Sequence, residues 1–131
     1  MSEGRTKGDQ APELSQEMKQ YFRTYWGNFP FPVMLVHRTR IIMERNALAE
    51  ALGCVPGARC SDQGTKESHK GCLANLALRE QSAQRRVGYL KEFGMILDAY
   101  WIPLVDFPDY FLHFSIDITE YAAEHMKLVE L

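Results

Sequence analysis

Three thiols and one imidazole stand close together in the middle of this sequence, at Cys54, Cys60, His69 and Cys72. Thiolate sulfur and imidazole nitrogen are the ligands that zinc and iron take from proteins. His69 and Cys72 are three residues apart, so one helical turn could bring both to an ion, with Cys60 as a third ligand. The Cys54 to Cys60 spacing is looser than the close ligand pairs of structural zinc sites. A regulatory Cys60 to Cys72 disulfide and ordinary half-buried thiols therefore stay open as alternatives.

Catalysis has little support elsewhere in the sequence. A hydrolase or transferase needs a nucleophile with its base, a pair of carboxylates or a phosphate-binding loop, and no stretch has the local signature of any of these. His69 with Cys72 is the one candidate couple, and a Cys–His pair without further signature is commonly accidental. Gly53, Gly57 and Gly64 lack phosphate-binding spacing. We therefore predict a protein that is not an enzyme and has no nucleotide site.

Composition sets the class of protein. With 131 residues, of which 46% are hydrophobic, the chain can bury one core without disulfide or metal support. The net charge is −2 with both signs interspersed, which argues against nucleic acid or an acidic membrane surface as a partner. No apolar run reaches the roughly 18 residues that a membrane span needs, and an odd number of cysteines does not suit a secreted disulfide framework. We expect a cytoplasmic protein with one compact domain.

The N-terminal part of the sequence divides into a tail and a helix. Residues 1–11 are polar and have no apolar period, which predicts a disordered tail. Residues 12–28 carry apolar side chains at steps of three and four, which predicts an amphipathic helix that stops near Gly27. The apolar stripe consists of Leu14, Met18, Tyr21, Phe22, Tyr25 and Trp26. This stripe packs on the chain's own sheet or, in addition, forms the seam of a homodimer.

Two short apolar runs predict a β-hairpin. Residues 33–36 and 41–43 are apolar, and the four polar residues between them suit a turn. Asn46 follows at the head of a run of helix formers, and Gly53 ends that run, so a short capped helix comes next. Residues 54–70 are rich in turn formers and predict loops.

The second half of the chain changes from helical to strand periodicity. Residues 72–80 predict a helix of two to three turns. Residues 86–90, 95–104 and 110–116 then predict three strands of an antiparallel meander.

Alternation in the last strand indicates which side chains face inward. Tyr110, Leu112, Phe114 and Ile116 form one apolar set, and His113 lies on the opposite side. We take the apolar set as the cavity side of the sheet. His113 is therefore expected to face away from any cavity and to lie under the N-terminal helix in a structural role.

The last strand passes into a polar tail at Asp117, Thr119 and Glu120. Asp117 or Thr119 can accept backbone N–H groups of a helix's first turn, and Glu120 suits the positive end of the helix dipole. Residues 122–131 then predict the start of an exit helix. No stop signal precedes Leu131, so of two alternatives, a free-standing domain or an excerpt of a longer protein, we favour the excerpt. We interpret this joint as a relay between the sheet and an output helix.

Short motifs stand in a fixed order at the ends of these elements. They are Asn46 and Ala47, Leu52 and Gly53, Gly57, Pro103 and Leu104 with Asp106, and finally Asp117, Ile118, Thr119 and Glu120. In this order and spacing, residues 29–121 resemble the PAS sensory-domain family of the PAS/PAC, S-box type. No motif is specific alone; the joint pattern carries the resemblance.

The resemblance implies an α+β fold in which a five-stranded antiparallel sheet, in the order 2-1-5-4-3, has short helices on one face that enclose a small cavity. The N-terminal amphipathic helix and the C-terminal exit helix would flank this domain. The residues expected to line a ligand pocket are Leu76, Tyr89, Leu97, Leu112 and Phe114. The alternative is that these five are simply core residues.

The resemblance also implies a function in sensing and signal transduction. Such a module binds a small ligand or cofactor and relays its state through the terminal helices to a partner kinase or regulator, as in two-component regulation. One alternative is a ligand-free module for homodimerisation or protein interaction. A second alternative is a metal or redox sensor built on Cys60, His69 and Cys72.

The specialised cofactors of such domains fit this sequence poorly. A flavin photosensor needs an Asn-Cys-Arg-Phe-Leu type sequence, and this chain has Arg59, Cys60, Ser61 and Asp62 instead. A haem version needs an axial ligand that points inward from the central helix, whereas His69 lies before that helix. We expect neither group, and the sequence names no other cofactor beyond the metal alternative.

Overall fold

The computed structural model describes residues 11–63 and 69–131, so the predicted tail lies outside the described residues except for Ala11. The helices are α1 (Gln16–Trp26), α2 (Ala47–Ala51) and α3 (Ala74–Glu80), and the strands are β1 (Val33–His37), β2 (Ile42–Arg45), β3 (Gln84–Leu90), β4 (Met95–Leu104) and β5 (Phe107–Asp117). Short 3-10 helices occur at Cys60–Asp62, Lys91–Phe93, Thr119–Tyr121 and Glu124–Leu128.

The five strands form one antiparallel sheet in the order β2-β1-β5-β4-β3, which confirms the predicted fold class and strand order. β5 has 11 residues and lies at the centre, between β1 and β4. Every sheet connection from β3 onward is a tight turn, as the meander predicts. Asp106 turns β4 into β5 with a φ of 68°, a left-handed conformation that Asp tolerates better than most residues.

Asn46 ties α2 to the first strand and to the segment before it. Its Oδ1 accepts from the backbone N–H of Ala49 at 3.0 Å, which caps α2, and from that of Val33 at 3.1 Å. Its Nδ2 donates to the carbonyls of Phe31 at 2.8 Å and Phe29 at 3.2 Å. All four bonds lie in a site where the residue is 4% exposed. The predicted cap is confirmed, and the side chain also fixes where β1 begins.

Helix α1 packs against one face of the sheet, which we call the α1 face. Leu35, Leu112 and Ile102 are register partners across β1, β5 and β4 on this face. Phe22 of α1 and Leu14, just before the helix, are buried in the same cluster. The prediction that the helical stripe packs on the chain's own sheet is confirmed, although the helix starts at Gln16 rather than at residue 12 because Ser15 caps it through the Met18 N–H at 3.1 Å.

The opposite face, which we call the cavity face, is covered by α3. Met34, His113 and Trp101 are register partners on this face. Ala74 and Ala77 of α3 are fully buried there, and their small side chains let the helix approach the strands closely. Both faces of the sheet are therefore covered, each by different helices.

The exit helix predicted for residues 122–131 is wrong. The segment begins with extended backbone at Ala122 and Ala123, forms one 3-10 helix at Glu124–Leu128, and then returns to the sheet. The N–H of Tyr89 donates to the Val129 carbonyl at 2.6 Å, and the N–H of Leu131 donates to the Tyr89 carbonyl at 3.2 Å. The free edge of β3 offers unpaired backbone groups, and pairing with them replaces helical hydrogen bonds.

Candidate functional site

A cavity of about 350 Å³ lies between the cavity face, α3 and the loop around the first 3-10 helix. This volume is near the lower end of the range of about 300–1,000 Å³ that is usual for small-molecule sites. The described lining residues are Met34, Arg40, Cys60, Ser61, Gln63, His69, Cys72, Ala74, Asn75, Trp101, Phe111 and His113. The lining thus combines an aromatic wall with polar side chains, most of which come from loops and from α3.

The aromatic wall is built by two neighbouring strands. Trp101 of β4 and His113 of β5 are register partners, and their rings stack with centroids 4.9 Å apart and planes 15° apart. His113 Nδ1 lies 2.8 Å from the Tyr100 carbonyl oxygen. Because a carbonyl only accepts, Nδ1 carries the hydrogen, and the neutral ring keeps an unprotonated Nε2. Burial, the largest cause, lowers the pKa of His113, and nearby His69 lowers it further. The bond to the Tyr100 carbonyl acts in the opposite direction, and the net effect favours the neutral ring.

The prediction for His113 is therefore wrong: the ring lines the cavity and does not lie under the N-terminal helix. The alternation itself is correct, since Leu112 and Phe114 do share the other face. The error arose because both faces of the sheet are covered. The more apolar face is the one that α1 packs against, which leaves the mixed face for the cavity.

Arg40 brings a cation to the cavity. It occupies the β1–β2 turn with a φ of 74°, a conformation that costs a non-glycine residue energy and is enriched at functional sites. Its guanidinium lies 5.6 Å from the centroid of the Phe111 ring. Nη1 donates to the Arg38 carbonyl at 2.7 Å, and Nη2 donates to Asn75 Oδ1 on α3. The turn and α3 together hold the charged group against the aromatic wall.

The five predicted pocket residues do not form a common site. Tyr89, Leu112 and Phe114 lie on the α1 face by their strand register, so they point away from the cavity. Leu97 lies on the cavity face, beside Gly88, but outside the described lining. Leu76 on α3 is half-buried and is likewise outside it. The prediction of core packing fits Leu112 and Phe114, which are buried in the cluster under α1.

The predicted metal and redox residues do come together. Cys60, His69 and Cys72 all line the cavity. Within residues 11–63 and 69–131, however, no three His, Cys, Asp or Glu side chains lie close enough to hold one metal ion. His69 Nε2 is hydrogen-bonded to the Gln63 carbonyl, so Nε2 carries the hydrogen and only Nδ1 could bind a metal. The described coordinates therefore give the metal alternative no support.

The thiols are free rather than disulfide-bonded. Burial, with a smaller contribution from Cys72, raises the pKa of Cys60 to about 11, and burial also raises the pKa of Cys54. A thiol with so high a pKa is almost entirely protonated at neutral pH and reacts slowly. Cys72 is exposed at the cavity wall. A redox role for Cys60 and Cys72 stays a prediction.

A second concavity of about 390 Å³ lies beside α1 on the other side of the sheet. Met18, Tyr21, Phe22, Tyr25 and Trp26 line it, together with Leu35, Leu104, Val105, Phe107 and Leu112. Of the predicted seam residues, Leu14 and Phe22 are buried in the chain's own core, so they are not available to a partner. Tyr21 is 50% exposed and Tyr25 77% exposed.

At the predicted relay, Asp117 Oδ1 accepts from the backbone N–H of Thr119 at 3.0 Å and from its hydroxyl at 2.5 Å. These bonds lower the pKa of Asp117, the side-chain bond most. Thr119 Oγ1 in turn accepts from the Ile96 N–H at 2.9 Å, at the start of β4. Asp117 thus binds the first residue of the 3-10 helix Thr119–Tyr121, but the N-cap of that helix is Ile118, which makes no side-chain cap bond. Glu120 is exposed.

The sequence matches no protein-family model, and no curated protein matches it significantly. Among solved structures, a domain of an HTR-like protein from Haloarcula marismortui aligns with a TM-score of 0.56 at 23% identity, covering 69% of this chain and 99% of that one. A sensory box sensor histidine kinase from Vibrio cholerae aligns with a TM-score of 0.54 at 14% identity, covering 77% and 89%.

No helix in the described ranges is long and apolar enough to cross a bilayer. Strand order, element order and the two alignments agree with one another. The chain therefore has the fold of the PAS sensory domains.

Proposed function

We propose that this protein is a sensory module that binds a small ligand in the cavity between the sheet and α3. The observation that carries the proposal is the cavity wall, where Trp101, Phe111 and His113 present flat ring surfaces beside polar groups. A mostly apolar concavity with a few convergent polar groups is the usual form of a small-molecule site. The PAS fold supports the same function by analogy.

A route from this cavity to the end of the sheet supports the relay part of the proposal. His113 lines the cavity on β5, and the same strand ends at Asp117. Asp117 accepts hydrogen bonds from the N–H and the hydroxyl of Thr119, and Thr119 Oγ1 accepts one from the N–H of Ile96 in β4. Beyond it, residues 129–131 pair with the edge of β3. A ligand that shifts β5 against β4 would strain these bonds and alter the C-terminal segment.

Native mass spectrometry of the purified protein tests ligand binding. We expect a stoichiometric bound mass in the wild type and its loss in Ser61→Trp, because Ser61 lines the cavity and an indole would fill it. Asp62→Trp is the matched control, since the neighbouring Asp62 is exposed and outside the described lining. Bare protein after mild purification, or equal retention by both variants, would refute the cavity as a ligand site.

A second candidate function, homodimerisation through α1, rests on a separate observation. Tyr25 and Val105 are 77% and 84% exposed beside the concavity next to α1, and Tyr21 and Phe107 extend this apolar surface. Contiguous exposed apolar surface of this kind marks interaction sites. A second copy of the chain could bury it by symmetric α1–α1 contact.

Light scattering of Tyr25→Glu with Val105→Glu tests the dimer. Burying two unpaired carboxylates is costly, so we expect monomers where the wild type gives dimers. Lys19→Glu is the control, because it also places a carboxylate on α1, but outside the residues that line this concavity. A monomeric wild type, or a dimer that persists in the double variant, would rule out this surface as the seam.

A further inference from the structure

The described residues that line the cavity carry unbalanced charges. Its described lining contains the guanidinium of Arg40, two imidazoles, two amides and two thiols, and no carboxylate. Among the described residues, no Asp or Glu oxygen lies within ion-pair distance of Arg40. Arg45 and Arg85 of the sheet, by contrast, do pair with carboxylates. A cation held at a concave site without a counter-charge favours an anionic ligand.

The backbone presents Arg40 to the cavity. A φ of 74° is unfavourable for arginine, yet the turn is held by the Arg40 N–H to the His37 carbonyl at 2.7 Å and the Cys60 N–H to the Arg40 carbonyl at 2.8 Å. The guanidinium has five N–H donors, and the Arg38 carbonyl and Asn75 Oδ1 use two of them. Donors therefore remain for a carboxylate, which guanidinium binds in a two-pronged geometry.

The aromatic wall of the cavity suits a different part of a ligand from the part that Arg40 would bind. His113 Nδ1 is used by the Tyr100 carbonyl, so the neutral ring offers Nε2 as an acceptor, and Nε2 has no hydrogen-bond partner among the described residues. The stacked Trp101 and His113 rings, with Phe111 nearby, form an aromatic wall of the cavity. Such a surface suits an aromatic ring, and the lower-range volume suits a molecule of one or two rings.

We propose that the cavity takes a small aromatic carboxylate: its carboxylate binds Arg40, its ring packs against the aromatic wall at Trp101 and Phe111, and an O–H or N–H at its far end donates to His113 Nε2 in the plane of the imidazole. This inference names the ligand class of the cavity and rests on the proposed sensory function. It involves no covalent step. The described lining contains no carboxylate that would repel this anion.

Trp101 fluorescence in Trp26→Phe protein tests the ligand class. The chain has two tryptophans, and Trp26 lies on the α1 face, so this substitution leaves the cavity tryptophan as the sole reporter. The probe is 4-hydroxybenzoate, compared with 4-hydroxybenzamide, which has the same ring and hydroxyl without the charge. We expect saturable quenching by the acid and at least tenfold weaker binding of the amide.

Variants separate the charge from the fold. Arg40→Gln should weaken the acid at least tenfold and leave the amide unchanged, and Arg40→Lys should restore part of the affinity. Arg38→Gln, two residues away and outside the described lining, should change neither. Thermal unfolding of each variant checks that the fold is intact.

Two results would overturn the ligand class while sparing the proposed function. One is equal binding of acid and amide; the other is failure of both probes although native mass spectrometry retains another, non-acidic molecule that Ser61→Trp releases. Failure of the probes together with bare protein in the mass spectrum would overturn both proposals.

Discussion

The two faces of the sheet use the same alternating strands for different purposes. On the α1 face, Phe22 of the helix meets Leu35 and Leu112 in a cluster of apolar side chains. On the cavity face, Trp101 and His113 meet a loop and a short helix that leave about 350 Å³ unfilled. The α1 face combines a buried apolar cluster with an open apolar concavity beside the helix, whereas the cavity face keeps a hollow lined by both aromatic and polar side chains.

The difference shows that apolar alternation identifies a packed face and not a ligand site. Packing an apolar strand face against a helix removes its surface from water and stabilises the fold. Polar groups such as His113 and Arg40 gain nothing from such packing unless they find partners. A hollow with access for ligand or water satisfies them, so the less apolar face is the better candidate for binding.

The largest effect on stability is expected from truncating a buried side chain on the α1 face. Phe22 is 4% exposed in that cluster, so Phe22→Ala should lower the free energy of unfolding by about 3–5 kcal/mol. Tyr25→Ala, one turn later at 77% exposure, should change it by less than about 0.5 kcal/mol. Urea denaturation measures both. Similar decreases in the free energy of unfolding for the two variants would mean that α1 packs on the sheet through a different face of the helix.

A smaller effect should separate packed from hollow parts of the cavity face. Ala77 is fully buried and outside the described lining, so Ala77→Leu should destabilise the fold by about 1–3 kcal/mol through overpacking. Ala74, one turn earlier, lines the cavity, which can accept the added atoms, and Ala74→Leu should cost less than about 1 kcal/mol. Equal costs would indicate that the cavity is not open in solution.

Each face also buries a histidine, which predicts a pH dependence. Burial lowers the pKa of His37 on the α1 face, and burial with nearby His69 lowers that of His113 on the cavity face, both from 6.5. As the pH falls through 6.5, the unfolded chain takes up protons first, so the free energy of unfolding decreases until the folded-state pKa is reached.

Urea unfolding between pH 8 and about pH 5 measures this slope. His113→Gln and His37→Gln should each make the decline shallower, and the double variant more so. An unchanged slope in His113→Gln would show that this ring is not held neutral by burial.

The smallest effect concerns thiol reactivity, which leaves the fold unchanged. At pH 8 a thiol with a pKa of about 11 has roughly a hundredfold less thiolate than one with a pKa of 9.0. Cys60 is also half-buried whereas Cys72 is exposed at the cavity wall, so a chromogenic disulfide should react with Cys72 at least tenfold faster than with Cys60. Mass spectrometry of the labelled peptides measures both rates. Faster labelling of Cys60 would contradict its burial.

Much of the fold could be predicted from the sequence because its signals are local. Apolar periodicity placed α1, the first hairpin and the three-stranded meander, and Asn46 marked the start of α2. The C-terminal segment could not be predicted in this way. Its helical spacing is real, but pairing with the free edge of β3 depends on which strand ends up at the sheet's edge.

The candidate site was predicted only in part. Cys60, His69 and Cys72 were singled out by their type and do line the cavity. Arg40, Trp101 and Phe111 were missed, because nothing in their own sequence neighbourhood marks them. Polar residues within otherwise apolar strands, such as His113, were the available signal, and it was assigned to the wrong face.

Up to the end of β5, the sequence by itself determined which residues form strands and helices and which side chains share a face, since backbone periodicity and capping act over a few residues. Only the tertiary structure decided which face α1 covers, and therefore where the hollow lies and which charged group reaches it. That choice depends on comparing the packing of two whole surfaces, a sum over residues far apart in the chain.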